Sequence, residues 1–92
     1  MIRTFKHRGL KRLYERGDRS LIRADLVGTV EEILTLLDRA ATLQALNLPG
    51  YRLHQLKGDR KGIWAMTIRA NWRIIFRFEE GDAFDVELVD YH

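Results

Sequence analysis

The sequence predicts an α+β fold in which N-terminal helices pack on one face of a curved antiparallel β-sheet. Three observations predict it. Apolar residues recur at helical spacing in the first half of the chain, they recur at every second position from Tyr51 onward, and the strand runs are joined by connections too short for crossovers. A meander of this kind has one oily face, and the helical stripes are the only cover the chain offers it. At 92 residues and 10.8 kDa, one domain over 1–92 is expected, of a size that buries roughly 60–65% of its unfolded surface.

Taken in order, residues 2–5 form a short candidate strand. Residues 6–16 set Leu10, Leu13 and Tyr14 at helical spacing, with most of the Lys and Arg elsewhere around the cylinder, which predicts a basic amphipathic helix. Gly17 ends it, where a glycine can take up the left-handed conformation. Leu26, Val27, Val30, Ile33, Leu34 and Leu37 predict the main helix over 25–39, with an irregular first turn at Gly28. A further turn or two over 40–46 precedes the break at Asn47, Leu48, Pro49 and Gly50. Residues 51–55 then read as a strand and 56–62 as a charged loop.

The hairpin over 63–78 organises the rest. Trp64, Met66 and Ile68 alternate with smaller or polar residues, and Trp72, Ile74, Phe76 and Phe78 alternate with Arg73, Ile75 and Arg77. The reversal is expected at Ala70 and Asn71. A last strand over 83–91 places Phe84, Val86 and Leu88 on the core side. By the same parity Arg69, Arg73 and Arg77 leave on the other side, opposite the tryptophans, which are read as core residues.

Composition excludes several classes. The chain has no cysteine, hence no disulfide framework and no thiolate metal site. Nowhere do about 18 apolar residues run together, and no apolar stretch of signal-peptide length follows the basic N-terminus, so a cytoplasmic protein without a membrane span is expected. None of His7, His54 and His92 lies at a helical i, i+4 spacing to another, and there is no glycine-rich phosphate or nucleophile motif. Net charge is unevenly placed: +6 over 1–23, −3 over 24–50, +6 over 51–77 and −6 over 78–92. Basic blocks suit a polyanionic partner, although they also occur as solvated surface.

The chemistry is therefore sought on the cationic face. Arg, Lys, His and Tyr near acids can cleave RNA without a metal: a base takes the 2′-hydroxyl proton, cations stabilise charge growing on the phosphate, and an acid protonates the departing 5′-oxygen. If Tyr51 and Leu53 point to the core, Arg52 and His54 join Arg73, with Lys57 in the loop beyond. Tyr91 falls on the same side, whereas Asp90 and His92 fall on the other. Asp85 and Glu87 are expected to neutralise Arg77 and Arg73.

Four stretches, MIRTFKHRGLKRLYERG, YRLHQLKGDRKGIW, RANWRIIFRF and the ending VELVDYH, occur in this order in a chain of this length. Together they resemble HigB toxins, of the RelE/ParE superfamily of bacterial toxin–antitoxin systems, also called plasmid maintenance killer proteins. The resemblance spans nearly the whole chain, and LHxLKGDR, NWRI and a terminal DYH make it specific in combination. It implies a RelE-like fold and a metal-free, cofactor-free, ribosome-dependent endonuclease that cuts mRNA in the ribosomal A site and inhibits translation. The implied partners are a HigA-like helix-turn-helix antitoxin, the 70S ribosome with its mRNA, and operator DNA reached through the antitoxin. By motif position the implied catalytic set is His54, Lys57, Arg73, Asp90, Tyr91 and His92. Asn71, Lys57, Arg60 and Lys61 would hold RNA. Arg73 and Lys57 would sit at the scissile phosphate, His54 or His92 would accept the proton, and Tyr91 or protonated His92 would assist departure. Two other classes compete: a ParE-type inhibitor of DNA gyrase, which would not need His54 or the terminal DYH, and a non-catalytic nucleic-acid-binding module.

Overall fold

The computed structural model describes residues 1–60 and 62–91. Two helices, α1 (Arg8–Arg16) and α2 (Val27–Arg39), precede short 3-10 turns at Leu43–Leu46 and Pro49–Tyr51. Four strands follow: β1 (His54–Gln55), β2 (Ile63–Arg69), β3 (Trp72–Glu79) and β4 (Asp82–Asp90). They lie in sequence order, each antiparallel to the next. The predicted α+β fold is the one adopted.

The register explains the core. Trp64 lies opposite Phe76 and Met66 opposite Ile74, and directly opposed residues share a face. On that layer pack Leu10 and Leu13 of α1 and Val30, Ile33, Leu34 and Leu37 of α2. Met66 and Phe76 are buried almost completely. Trp64, Trp72, Ile68, Phe78 and Leu88 close the rim of the same cluster, so both tryptophans belong to the core as expected.

Element ends follow local chemistry. α1 begins at Arg8 because the Nδ1 of His7 accepts the Leu10 N–H at 3.1 Å, satisfying one of the donors that a helix start leaves open. Gly17, at φ 68°, ends the helix. α2 starts at Val27, two residues later than periodicity suggests, with no side-chain cap. Its end carries Asp38, whose Oδ1 accepts the Tyr14 hydroxyl at 2.6 Å and the Ile2 N–H at 3.2 Å. A carboxylate there opposes the helix dipole, and these two donors offset the cost while tying α1 and the N-terminal segment to α2. The Tyr14 hydrogen bond accordingly holds the Asp38 carboxyl below its ordinary range.

Several expectations change. Residues 2–5 form no strand of their own but make two parallel bridges to β4, Ile2 to Ala83 and Phe5 to Val86. The strand expected over 51–55 contracts to His54–Gln55, because the Pro49–Tyr51 turn precedes it and Arg52 sits in the left-handed region at φ 49°. The loop over 56–62 contains a 3-10 turn at Gly58–Arg60. The reversal does fall at Ala70 and Asn71, but Ala70 takes the positive φ of 48°.

Two irregularities reassign side chains. Between the pairs Ile75–Glu87 and Arg77–Phe84, Phe76 faces both Asp85 and Val86, and Asp85 has φ 55°. This bulge moves Phe84 from the core side to the side of Arg77, whose guanidinium carbon lies 5.2 Å from its ring centroid. Ala83 and Val86 take the core instead. A second shift between Thr67 and Arg69 sets Arg69 opposite Trp72. Arg69 therefore shares the tryptophan's face and reaches Asp25 at 3.5 Å, contrary to the expectation that it leaves beside Arg73.

Phe76→Ala should lower stability by about 3–5 kcal/mol, as a large ring lost from a packed core does, read as a urea midpoint shift. His7 provides a pH test. Burial pushes its pKa down while the charge of Glu87 opposes this, so the folded chain prefers the neutral ring that caps α1. A histidine depressed on folding contributes stability above the ordinary value of 6.5, and that stability is lost as pH falls below it. The melting temperature should fall from pH 7 to 5, and His7→Asn, which keeps a cap acceptor, should flatten that slope.

Candidate active site

The face of the sheet turned from the core carries one apolar strip and a set of polar groups around it. Cross-strand pairing sets His54, Ala65, Ile75 and Glu87 in one row and Thr67, Arg73 and Val89 in the next. Ala65 at 0% and Ile75 at 3% exposure are buried although they lie outside the core cluster. They form a dry floor between His54 on one edge strand and the polar groups of β3 and β4. Strand rise and spacing put the backbones of His54 and Arg73 about 12 Å apart. Two such side chains can meet at a phosphate held between them.

His54 is exposed, and its Nδ1 lies 2.8 Å from the Arg52 carbonyl oxygen. A carbonyl only accepts, so this contact is a hydrogen bond when Nδ1 carries the proton. The neutral ring then presents Nε2 as its acceptor, available to take a proton from a bound hydroxyl.

The three hairpin arginines differ in their counter-charges. Arg69 pairs with Asp25. Arg77 pairs with Glu79 and with Asp85 at 3.0 Å, and these contacts, led by Asp85, raise its pKa and depress that of Asp85. Among the described residues Arg73 is held by backbone, its Nη1 donating to the Ala70 carbonyl at 2.7 Å and the Trp72 carbonyl at 3.2 Å. Its Nε is buried without a hydrogen-bond partner among the described residues. The expectation for Asp85 and Arg77 holds, but Glu87 lies opposite Ile75 and makes no ion pair with Arg73. The positive charge of Arg73 is therefore fixed in place and, among the described residues, meets no carboxylate in an ion pair.

The chain end and the loop after β1 meet here. The Tyr91 N–H donates to the Asn71 carbonyl at 2.8 Å, joining the C-terminus to the hairpin turn. Its phenol oxygen accepts from the Arg60 guanidinium, whose central carbon lies 5.6 Å from the ring centroid. Periodicity could not reveal this pairing, since Arg60 lies in a loop. Lys57 and Asn71 are exposed at the margins, and Asp90 lies opposite Trp72 with an exposed side chain. Lys61 and His92 lie outside the described residues. Among the described residues, no group of three His, Asp or Glu side chains is placed to hold a metal.

Comparison with known proteins places this geometry in a family. The family model described as "RelE-like toxin of type II toxin-antitoxin system HigB" matches residues 3–92. The chain is 48% identical, over the full length of both, to "Endoribonuclease HigB" of Proteus vulgaris. It is 30% identical to "Toxin HigB-1" of Vibrio cholerae serotype O1, covering 96% of this chain and 95% of that one. Among solved structures, a YafQ variant from E. coli superposes with a TM-score of 0.63 at 18% identity, covering 98% of this chain and 91% of that one. The YoeB dimer of Staphylococcus aureus gives 0.61 at 17%, covering 99% and 94%. Those two likenesses concern the fold, whereas the match along residues 3–92 and the full-length identity concern the sequence itself. The chain belongs to the HigB-like toxins, the RelE-like toxins of type II toxin–antitoxin systems.

Proposed function

We propose that this toxin is an endoribonuclease of the cytoplasm that cuts mRNA in the A site of the 70S ribosome, using the whole chain as one domain. The observation that carries the reading is Arg73, a backbone-anchored arginine in no ion pair among the described residues, on the face that also bears His54. The name of the Proteus vulgaris relative agrees with it. A type II toxin implies a cognate antitoxin; we take that antitoxin to be a HigA-like helix-turn-helix protein that brings the pair to operator DNA.

The reaction is an internal transesterification. His54 Nε2 or His92 takes the 2′-hydroxyl proton, the 2′-oxygen attacks the adjacent phosphorus, and the 5′-oxygen leaves with a proton from Tyr91 or protonated His92. The products are a 2′,3′-cyclic phosphate and a 5′-hydroxyl, with no atom drawn from water or metal. Arg73 and Lys57 face the phosphate as its charge grows, which is where fixed cations contribute most. Asp90 orients the chain end, and Asn71, Arg60 and Lys61 hold the RNA strand.

Two measurements test this. A defined mRNA should be cut at the A-site codon when programmed ribosomes are present and stay intact without them. An Arg73→Ala, His92→Ala variant should lose at least about 10²-fold in rate while still binding antitoxin; intact message in every lane would sink the nuclease reading. The second measurement concerns the Arg60–Tyr91 contact. In a cycle of Arg60→Met and Tyr91→Leu, the coupling read from urea midpoints should be about 0.5–1 kcal/mol. Additive effects would mean that the two side chains act independently.

A further inference from the structure

We infer that Arg52 is a positioning residue for His54: its left-handed backbone aims a carbonyl at the imidazole ring, fixes the ring, and keeps Nε2 free to accept a proton. The inference deepens the nuclease reading above and rests on it for its catalytic consequence. Four residues other than glycine have a positive φ among the described residues, namely Arg52, Ala70, Glu80 and Asp85. Ala70 and Glu80 lie in the reversals between strands, and Asp85 forms the bulge of β4. Arg52, at φ 49° and ψ 51°, lies instead at the entry to the edge strand that carries His54.

A left-handed residue often ends a helical turn, and glycine is the usual choice because it has no Cβ to strain. Here the glycine of the turn stands at position 50, inside it, and the strained position falls to an arginine. Such strain persists only where the surroundings over-determine it. The Tyr51 hydroxyl donates to Glu32 of α2 at 2.7 Å, Tyr51 and Leu53 both pack against the core, and His54 is paired with Ala65 in the sheet. Anchors on both sides thus hold Arg52 as it is. In a regular strand the carbonyls lie in the plane of the sheet and the side chains stand across it, so a ring does not meet the carbonyl two residues before it. With Arg52 left-handed, that carbonyl oxygen lies 2.8 Å from His54 Nδ1. A neutral histidine ring free in water favours the proton on Nε2, whereas this acceptor requires it on Nδ1. The Nε2 lone pair is then left for the proton of the 2′-hydroxyl, on a ring whose rotation is already fixed.

Arg52→Gly and Arg52→Val separate the backbone from the side chain. Both lose the guanidinium, but glycine accepts a positive φ without strain, and valine, branched at Cβ, resists it. The nitrogen-15 shifts of the His54 ring, measured at about pH 8 where histidine rings are generally neutral, report the tautomer directly. The unaltered toxin and Arg52→Gly should show mainly the form protonated on Nδ1, and Arg52→Val should move toward the form protonated on Nε2. On ribosomes programmed with a defined mRNA, kcat of Arg52→Val should lie about tenfold or more below that of Arg52→Gly, at similar KM. Predominance of the Nε2-protonated form in the unaltered toxin would overturn the inference, and that measurement needs no variant to fold. An Arg52→Val toxin that is less stable but keeps both the Nδ1-protonated ring and the kcat of Arg52→Gly would also overturn it, since the turn would then serve the fold alone. A ring that shifts as expected in Arg52→Val, with message left intact even by the unaltered toxin, would refute the nuclease reading and uphold the placement of His54 by Arg52.

Discussion

Alternation along the β2–β3 hairpin is the constraint on which the molecule depends. A strand sends successive side chains to opposite faces, so burying Trp64, Met66, Ile74 and Phe76 obliges Ala65, Arg73, Ile75 and Arg77 to occupy the other side. The core thus determines where the cations stand. A slip of one residue would put arginines under the helices and tryptophans into solvent, and burying unpaired guanidinium groups would cost far more than a domain of this size can offset. The turn at Ala70 and the backbone bonds of Arg73 to Ala70 and Trp72 lock the same register from its end, so the anchor of the core and the anchor of the site are one element.

Counter-charges then decide which cations remain available. The acids of the last block gather at the Glu80–Gly81 end of the sheet, where Asp82 meets Arg3 and the N-terminus while Glu79 and Asp85 meet Arg77. Hydrogen bonds from Arg3 and Arg77 hold Asp82 and Asp85 below the usual carboxylate range, so that end of the sheet is electrostatically closed at neutral pH. The open face keeps Arg73, and the loop after β1 keeps Lys57 and Arg60, without carboxylate partners among the described residues. Charge that is uneven along the chain is therefore uneven across the sheet as well, and cations remain beside His54.

Much of this was legible in the residues. Periodicity located both helices, three of the four strands and the identity of the faces, because burial imposes those periods directly. It failed where backbone conformation is set by single residues. The positive φ of Asp85 and Arg52 leaves no mark on hydropathy, and from them follow the outward turn of Phe84 and the shortening of β1. The shift near Ile68 likewise sent Arg69 to Asp25. For the site, parity brought His54, Arg73 and Tyr91 to one side, but the Arg60–Tyr91 contact depends on how a loop folds back, which local pattern does not encode. Ile75 was the available signal that the cationic face has a dry floor, being apolar at a polar parity position.

The C-terminus is the point at which these constraints meet. β4 has the bulge at Asp85 near its start and the Tyr91–Asn71 bond just past its end. Downstream of the bulge, Glu87 and Val89 lie on the side of Ile75 and Arg73, and continued alternation carries Tyr91 to that side too. Were β4 to alternate strictly, keeping Ala83 in the core would turn Val86 and Leu88 out and the phenol toward the helices together, and keeping Val86 and Leu88 would turn Ala83 out. The bulge allows Ala83 to bridge Ile2 in the core while Tyr91 serves the open face. It therefore couples the N-terminal clamp on β4 to the placement of the chain end, which makes a distant backbone irregularity part of the architecture of the candidate active site.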